Sequence, residues 1–237
     1  MGRGDLPSLR SLPRVVIPGA DPSGPIDLPP QEVEKFRKVL RLQKGDHIAI
    51  LPNDGTLIRA AYQVHTAEPI EVVSPNRPTR TVLLAQALPK GDRLETVIRM
   101  GTELGVSGFV LFPADRSVVK WDAAKVSDRL RRLEAIAREA TEQCYGLVVP
   151  TLMFVASFKA ALESAQNPIV LDEAESAPRT LSEVTELDPL TLFVGPEGGW
   201  SPAEVALIGG RGVTLGERVL RTDTAGVAAA AVCLLGR

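Results

Sequence analysis

Five short apolar runs constrain this chain most: TVLLAQAL at 81–88, FVLF at 109–112, IVLD at 169–172, TLFVG at 191–195 and GVTLG at 212–216. They read as strands, and the segments between them are helical or loop stretches long enough to serve as crossovers. That alternation predicts an α/β domain with a largely parallel sheet. Between the first two runs, Arg93 to Leu104 reads as a helix closed by Gly105 in a left-handed conformation. A longer helix is predicted from about Ala123 to Cys144, because Val126, Leu130, Leu133, Ala137, Ala140 and Cys144 recur at three- and four-residue steps and make one apolar stripe.

Before residue 75 the texture is different. RVVI from Arg14, HIAIL from His47, LIRAAYQVH from Leu57 and EPIEVVS from Glu68 are short strand patterns, and Asn53-Asp54-Gly55 between two of them is a hairpin signal. One helical patch, Gln31 to Leu40, interrupts them. A small β-barrel-like module over residues 14–75 follows, and Ser74-Pro75-Asn76-Arg77-Pro78 marks the boundary to a second domain over 79–237. Residues 1–13 are expected to be a flexible extension.

Composition excludes several classes. With 44% apolar and 24% charged residues the chain can bury a sizeable core. Cys144 and Cys233 lie in apolar helical patterns, which suits buried thiols in a reducing compartment better than a disulfide. No uninterrupted apolar stretch approaches the roughly 18 residues of a membrane helix, and the first 13 residues lack the apolar centre of a secretory signal, so a cytoplasmic protein without a membrane partner is expected. His47 and His65 belong to no ligand cluster, and no metal site is expected. Residues 1–150 carry 21 Lys and Arg against 18 Asp and Glu, whereas 151–237 carry 6 against 11, so the front is the half suited to a phosphate backbone.

The chemistry concentrates in Phe193-Val194-Gly195-Pro196-Glu197-Gly198-Gly199-Trp200-Ser201-Pro202-Ala203-Glu204, a strand running through a glycine-rich loop into a helix. Ser201, with Pro202 next and Glu204 three residues on, is a capping box. Glycines let the backbone approach a ligand closely, and parallel sheets bind ligands beyond the carboxyl ends of their strands, where a nucleoside would fit. The loop lacks the Gly-Lys-Ser/Thr ending of a triphosphate loop and the acidic partner of a dinucleotide fingerprint. A tight turn without a ligand is the plainer alternative. A second element repeats the grammar: GVTLG, then Glu217 to Thr224, then a helix from about Ala225 to Leu235, with Thr222, Asp223 or Thr224 as its cap. The small residues of that helix suit close packing on the sheet or on a second subunit.

FVGPEGGWSPAEV followed by LGERVLRTDTA resembles the ribosomal small-subunit RNA uridine-N3 methyltransferases of the RsmE type, members of the trefoil-knotted SPOUT class. The likeness extends through ELGV at 103–106, RSVVK at 116–120, EATEQC at 139–144 and KVLRLQKGD at 38–46, and so covers nearly the whole chain after about Pro13. It implies a PUA-like RNA-binding domain, a SPOUT domain knotted in about residues 169–225, a homodimer, and methyl transfer from S-adenosylmethionine to N3 of a uridine in 16S ribosomal RNA. The cofactor is expected at Leu171; at Val194, Gly195, Glu197, Gly198 and Gly199; and at Leu215, Gly216, Val219, Leu220, Arg221, Thr222 and Thr224. Arg221 and Asp223 are the expected catalytic residues, with a purely structural ion pair between them as the alternative. Arg14, Arg37, Lys38, Arg41, Arg116 and Lys120 are the expected RNA contacts. The chain departs from the family where Lys is usual, at Met100, and where Gly-Arg is usual, at Tyr145-Gly146-Leu147. A non-catalytic ribosome assembly factor, or a knotted methyltransferase with another RNA target, remains an alternative at this point.

Overall fold

The structure, a computed structural model, describes residues 6–75, 80–173 and 179–235. The chain forms two compact units, one of residues 1–78 with 141–149 and one of residues 79–140 with 150–237.

The first unit is a five-stranded curled sheet. Its strands are β1 (Arg14–Val16), β2 (Ile26–Asp27), β3 (His47–Leu51), β4 (Leu57–Tyr62) and β5 (Thr66–Val73), in the order β1-β3-β4-β5-β2. Strand β1 runs parallel to β3 and the other neighbours are antiparallel. The hairpin expected at Asn53-Asp54-Gly55 joins β3 to β4, with Asn53 at φ 69° and Gly55 at φ 92°; such positive angles are cheap for Asn and Gly. The expected helical patch begins as α1 (Pro30–Glu34) and widens over Lys35–Val39, where Leu40 N–H donates to the Lys35 carbonyl five residues back. Its Phe36 meets Tyr62 edge-on at 5.7 Å in a core with Ile48, Ile50 and Ile58. Residues 9–13, expected as part of a flexible extension, instead form a 3-10 turn over Leu9–Ser11 followed by buried Leu12, and Arg59 Nη1 donates to the Pro7 carbonyl at 2.9 Å. An apolar Leu12 with a pocket to fill outweighs the local polar composition that suggested disorder. Residues 1–5 lie outside the described residues.

The second unit is a six-stranded parallel sheet. It contains β6 (Val82–Ala87), α2 (Arg93–Leu104), β7 (Gly108–Phe112), α3 (Val126–Gln143, its last three residues counted in the first unit), β8 (Thr151–Phe154), α4 (Phe158–Ser164), β9 (Pro168–Leu171), β10 (Leu190–Val194), α5 (Pro202–Ile208), β11 (Gly212–Val213) and α6 (Thr222–Leu235). The strand order is β11-β9-β10-β6-β7-β8, and every neighbouring pair is parallel. Gly105 closes α2 at φ 95°, as expected. Phe112, Phe158, Phe193 and Trp200 form an aromatic cluster on one face of the sheet, with Phe158 and Trp200 ring centroids 4.7 Å apart. Helix α6 packs against α2, β6 and β10. A Cβ on its Gly226 would lie 3.2 Å from Val194 Cγ2, so a side chain there would push helix and sheet apart by a few tenths of an ångström or displace Val194.

Glu142 holds the first unit together. Its carboxylate is 5% exposed; Oε1 accepts from the Val16 backbone N–H at 3.0 Å, and Oε2 accepts from Lys35 Nζ at 2.9 Å. Burial lowers the Lys35 ammonium, but hydrogen bonds and charge from Glu142 and then Glu32 outweigh it and hold the lysine above its ordinary value. Because the folded value exceeds the unfolded one, the bridge's contribution is complete below the ordinary lysine range and is lost only as pH rises through the raised value. Glu142→Ala should destabilise the protein by about 2–3 kcal/mol, less than a fully buried pair because Lys35 is a third exposed and screened. Urea unfolding of Glu142→Ala, Lys35→Met and the double variant should give a coupling energy that stays flat from roughly pH 6 to 9; a coupling that fades toward neutral pH would contradict this.

Candidate functional site

Strands β9 and β10 end side by side at Leu171 and Val194, and the loops that leave them meet the segment between β11 and α6 around a cavity of about 460 Å³. The loop after β10 is built by packing and capping. A Cβ on Gly195 would sit 3.0 Å from Trp200 Cε2, so the backbone lies directly on the indole ring. The indole Nε1–H donates to the Leu171 carbonyl at 3.1 Å, which ties this loop to the end of β9. Gly199 turns the chain at φ 68°. The predicted capping box is present: Ser201 Oγ accepts from Glu204 N–H and the Glu204 carboxylate accepts from Ser201 N–H. Ser201 Oγ–H also donates to Asp115 Oδ2 at 2.5 Å, while Glu204 Oε1 accepts from Asp115 N–H at 3.0 Å. Glu197 Oε1 accepts from Lys90 N–H and Arg93 Nη1, which anchors the middle of the loop to the turn after β6.

The third segment is fixed by one hydroxyl. Thr222 Oγ1–H donates to the Gly195 carbonyl at 2.8 Å and Oγ1 accepts from Gln86 Nε2 at 2.9 Å. Gln86 is fully buried at the end of β6, and its Nε2 also donates to the Ala87 carbonyl. This three-point link joins β6, the glycine loop and the start of α6. Gln86 and Trp200 were missed in the sequence; a polar residue inside the apolar run TVLLAQAL was the available signal for the first.

Of the sequence-predicted cofactor residues, Leu171, Val194, Gly195, Glu197, Gly199, Leu215, Gly216, Val219, Leu220, Arg221 and Thr222 line the cavity. Gly198 does not; its Cα side faces Arg116, whose Cβ lies 3.1 Å from where a Gly198 Cβ would be. Thr224 and Asp223 are on α6 away from the lining. Arg221 is exposed, Asp223 Oδ1 is shielded and without a hydrogen-bond partner, and no ion pair joins them among the described residues. Asp172, Glu173 and Glu217 add carboxylates to the lining. Among the expected RNA contacts, Arg14 donates to the Glu142 and Arg10 carbonyls and stacks 5.0 Å from the Tyr145 ring centroid. Lys38 pairs with Glu34 on an exposed face, Arg37 and Arg41 are exposed, and all four lie in the first unit. Arg116 and Lys120 are exposed in the second unit, and Arg116 Nη1 donates to the Gly198 carbonyl at 3.1 Å. No group of three or more His, Cys, Asp or Glu side chains suited to a metal occurs among the described residues, and no helix among them is long and apolar enough to cross a membrane.

A parallel sheet whose strand-end loops enclose a cavity is the geometry of a ligand-binding α/β domain, and comparison with known proteins defines which. The RNA methyltransferase domain family matches residues 75–234. Ribosomal RNA small subunit methyltransferase E of Bacillus subtilis is 37% identical over 215 residues, covering 82% of this chain and 84% of its own length. The protein of that name from Synechocystis is 32% identical, covering 89% and 73%. Ribosomal RNA small subunit methyltransferase E of Neisseria gonorrhoeae, solved bound to S-adenosyl methionine, superposes with a TM-score of 0.83 at 26% identity over 93% of this chain and 96% of that one. A Legionella pneumophila protein solved with the bound cofactor SAM gives a TM-score of 0.85 at 27% identity, covering 95% and 98%. The chain belongs to the RNA methyltransferase domain family and, within it, to the RsmE type.

Removing the Thr222 hydroxyl leaves the Gly195 carbonyl without its donor and Gln86 Nε2 without one acceptor. Thr222→Val should therefore cost about 1–3 kcal/mol in denaturant unfolding, and Thr222→Ser should restore most of it. Equal stability of the valine and serine variants would show that the hydroxyl does not hold the loops.

Proposed function

We propose that this protein methylates N3 of a uridine in small-subunit (16S) ribosomal RNA with S-adenosylmethionine as donor, acting as a cytoplasmic homodimer. The observation that carries the proposal is the strand-end cavity in a chain of this family, at the place where three segments, two of them glycine-containing, converge. Its residues fit the donor. A volume of about 460 Å³ falls in the roughly 300–1,000 Å³ range of small-molecule sites. Leu171, Val194, Leu215 and Leu220 offer apolar walls for a purine ring, and Glu173 and Glu217 offer negative charge to a cationic sulfonium and ammonium. The bend at Gly216 has φ 120°, a backbone conformation that other residues rarely adopt. The donor, when bound, supplies a methyl group on positively charged sulfur.

The chain's own task is to hold uracil in line and to manage one proton and one negative charge. Uridine N3 loses its proton only well above neutral pH, so charge develops on the flanking carbonyl oxygens as the proton leaves. Arg221, exposed at the cavity and directly preceding α6, is placed to meet that charge with its guanidinium. Solvent or Asp223 accepts the proton; Asp223 Oδ1 is shielded and the residue is not part of the lining, which favours solvent. The same reading includes a PUA-like first unit and a trefoil knot in about residues 169–225. The strand order β11-β9-β10-β6 and the return of α6 onto β6 and β10 support the knot. Val232 and Leu235, 44% and 64% exposed on α6, support a second subunit there.

Labelled S-adenosylmethionine and small ribosomal subunits from a strain lacking the gene test the activity. One labelled N3-methyluridine is expected, and Arg221→Ala should slow its formation about 10²–10³-fold in a folded protein. Label on a ribose or another base overturns the target, no label overturns the activity, and near-normal turnover removes Arg221 from the chemistry.

A further inference from the structure

Segment 116–132 carries six Lys and Arg and two Asp in a chain whose net charge is −2, so positive charge is concentrated there. The segment lies in the second unit, and its Trp121 stacks on Phe154 of the edge strand β8, with centroids 5.2 Å apart and planes 21° from parallel. The Arg129 guanidinium lies 5.3 Å from the Trp121 ring centroid. Neither ring belongs to the aromatic cluster of the core, and both are only partly buried. Arg131 is engaged by Asp128 and Arg132 by Glu95, whereas Lys120, Lys125 and Arg129 are exposed and have no carboxylate partner among the described residues.

An aromatic pair capped by a guanidinium and flanked by unpaired ammonium groups has the chemistry of a single-stranded nucleic-acid platform. Bases stack on rings and on guanidinium planes, and lysines follow the phosphates. A duplex has its base faces already stacked and cannot use such a surface. The segment also leads to the cavity, because Arg116 at its head donates to Gly198 in the loop that walls it. We infer that Trp121, Phe154 and Arg129, with Lys120 and Lys125, form a docking platform for an unpaired base and its neighbouring phosphates in the RNA strand that enters the site. The inference rests on the proposed function for the identity of the strand as substrate RNA; the stacking chemistry stands on its own.

Fluorescence anisotropy with a labelled single-stranded oligoribonucleotide and with its duplex tests this on the full chain. Trp121→Ala, which leaves the charge unchanged, and the surface substitution Arg129→Gln should each weaken single-strand binding at least about tenfold and change duplex binding little. Calorimetric affinity for S-adenosylmethionine should match the wild type and reports that both variants are folded. Single-stranded RNA at saturation should also quench the emission of the unaltered protein more than that of Trp121→Ala, the difference isolating Trp121 from Trp200 at the cavity. Single-strand affinity within about twofold of wild type for Arg129→Gln, or quenching at saturating RNA no greater than that of Trp121→Ala, overturns the platform even if methyl transfer is observed. Quenching and a Trp121→Ala defect without any methyl transfer uphold the platform and count against the proposed reaction instead.

Discussion

The candidate site depends on the Thr222 hydroxyl. It lies between the buried Gln86 amide and the part-buried Gly195 carbonyl, and each partner belongs to a different stretch of sequence. On the buried Gln86 side a lost partner is not replaced by solvent, so the hydrogen bonds help to fix where α6 begins and where the glycine loop turns. Everything around the cavity follows from that placement. Gly226 brings α6 against β6 and β10, the Trp200 indole holds Leu171 against the same loop, and the capping box starts α5 at Ser201.

A consequence is that the cavity walls are main chain and small side chains held from behind by polar groups that do not touch the space themselves. Gln86, Asp115 and Glu204 are of this kind, and they set the loop as firmly as the residues lining it. The lining itself is left to aliphatic walls and carboxylates, with Arg221 at the start of α6. That division suits a site that must bind one small cation closely and still leave an opening for a large partner.

Much of this was legible in the sequence because it is written in local patterns. The parallel sheet follows from short apolar runs, Gly105 from the need for a left-handed cap, and the helix start from Ser201, Pro202 and Glu204. What could not be read depends on contacts between distant residues. Strand β8 was missed because TLMF at 151–154 pairs with only one neighbour and alternates between exposed and half-buried positions. Residues 141–149 pack with the first unit through Glu142, which no periodicity could reveal, and Leu12 folds residues 9–13 in for the same reason. At the site, the two glycine-containing loops were legible, whereas the pattern alone could not tell that Gly198, Asp223 and Thr224 stay out of the lining that their neighbours form.

The central claim is that the space beyond β9 and β10 receives S-adenosylmethionine, and titration of the purified chain with that compound in a calorimeter tests it most directly. Saturable heat with one molecule bound per chain is expected, abolished by a bulky residue in place of Gly195. Absence of heat across the titration, or an unchanged isotherm with the bulky residue present, would contradict it.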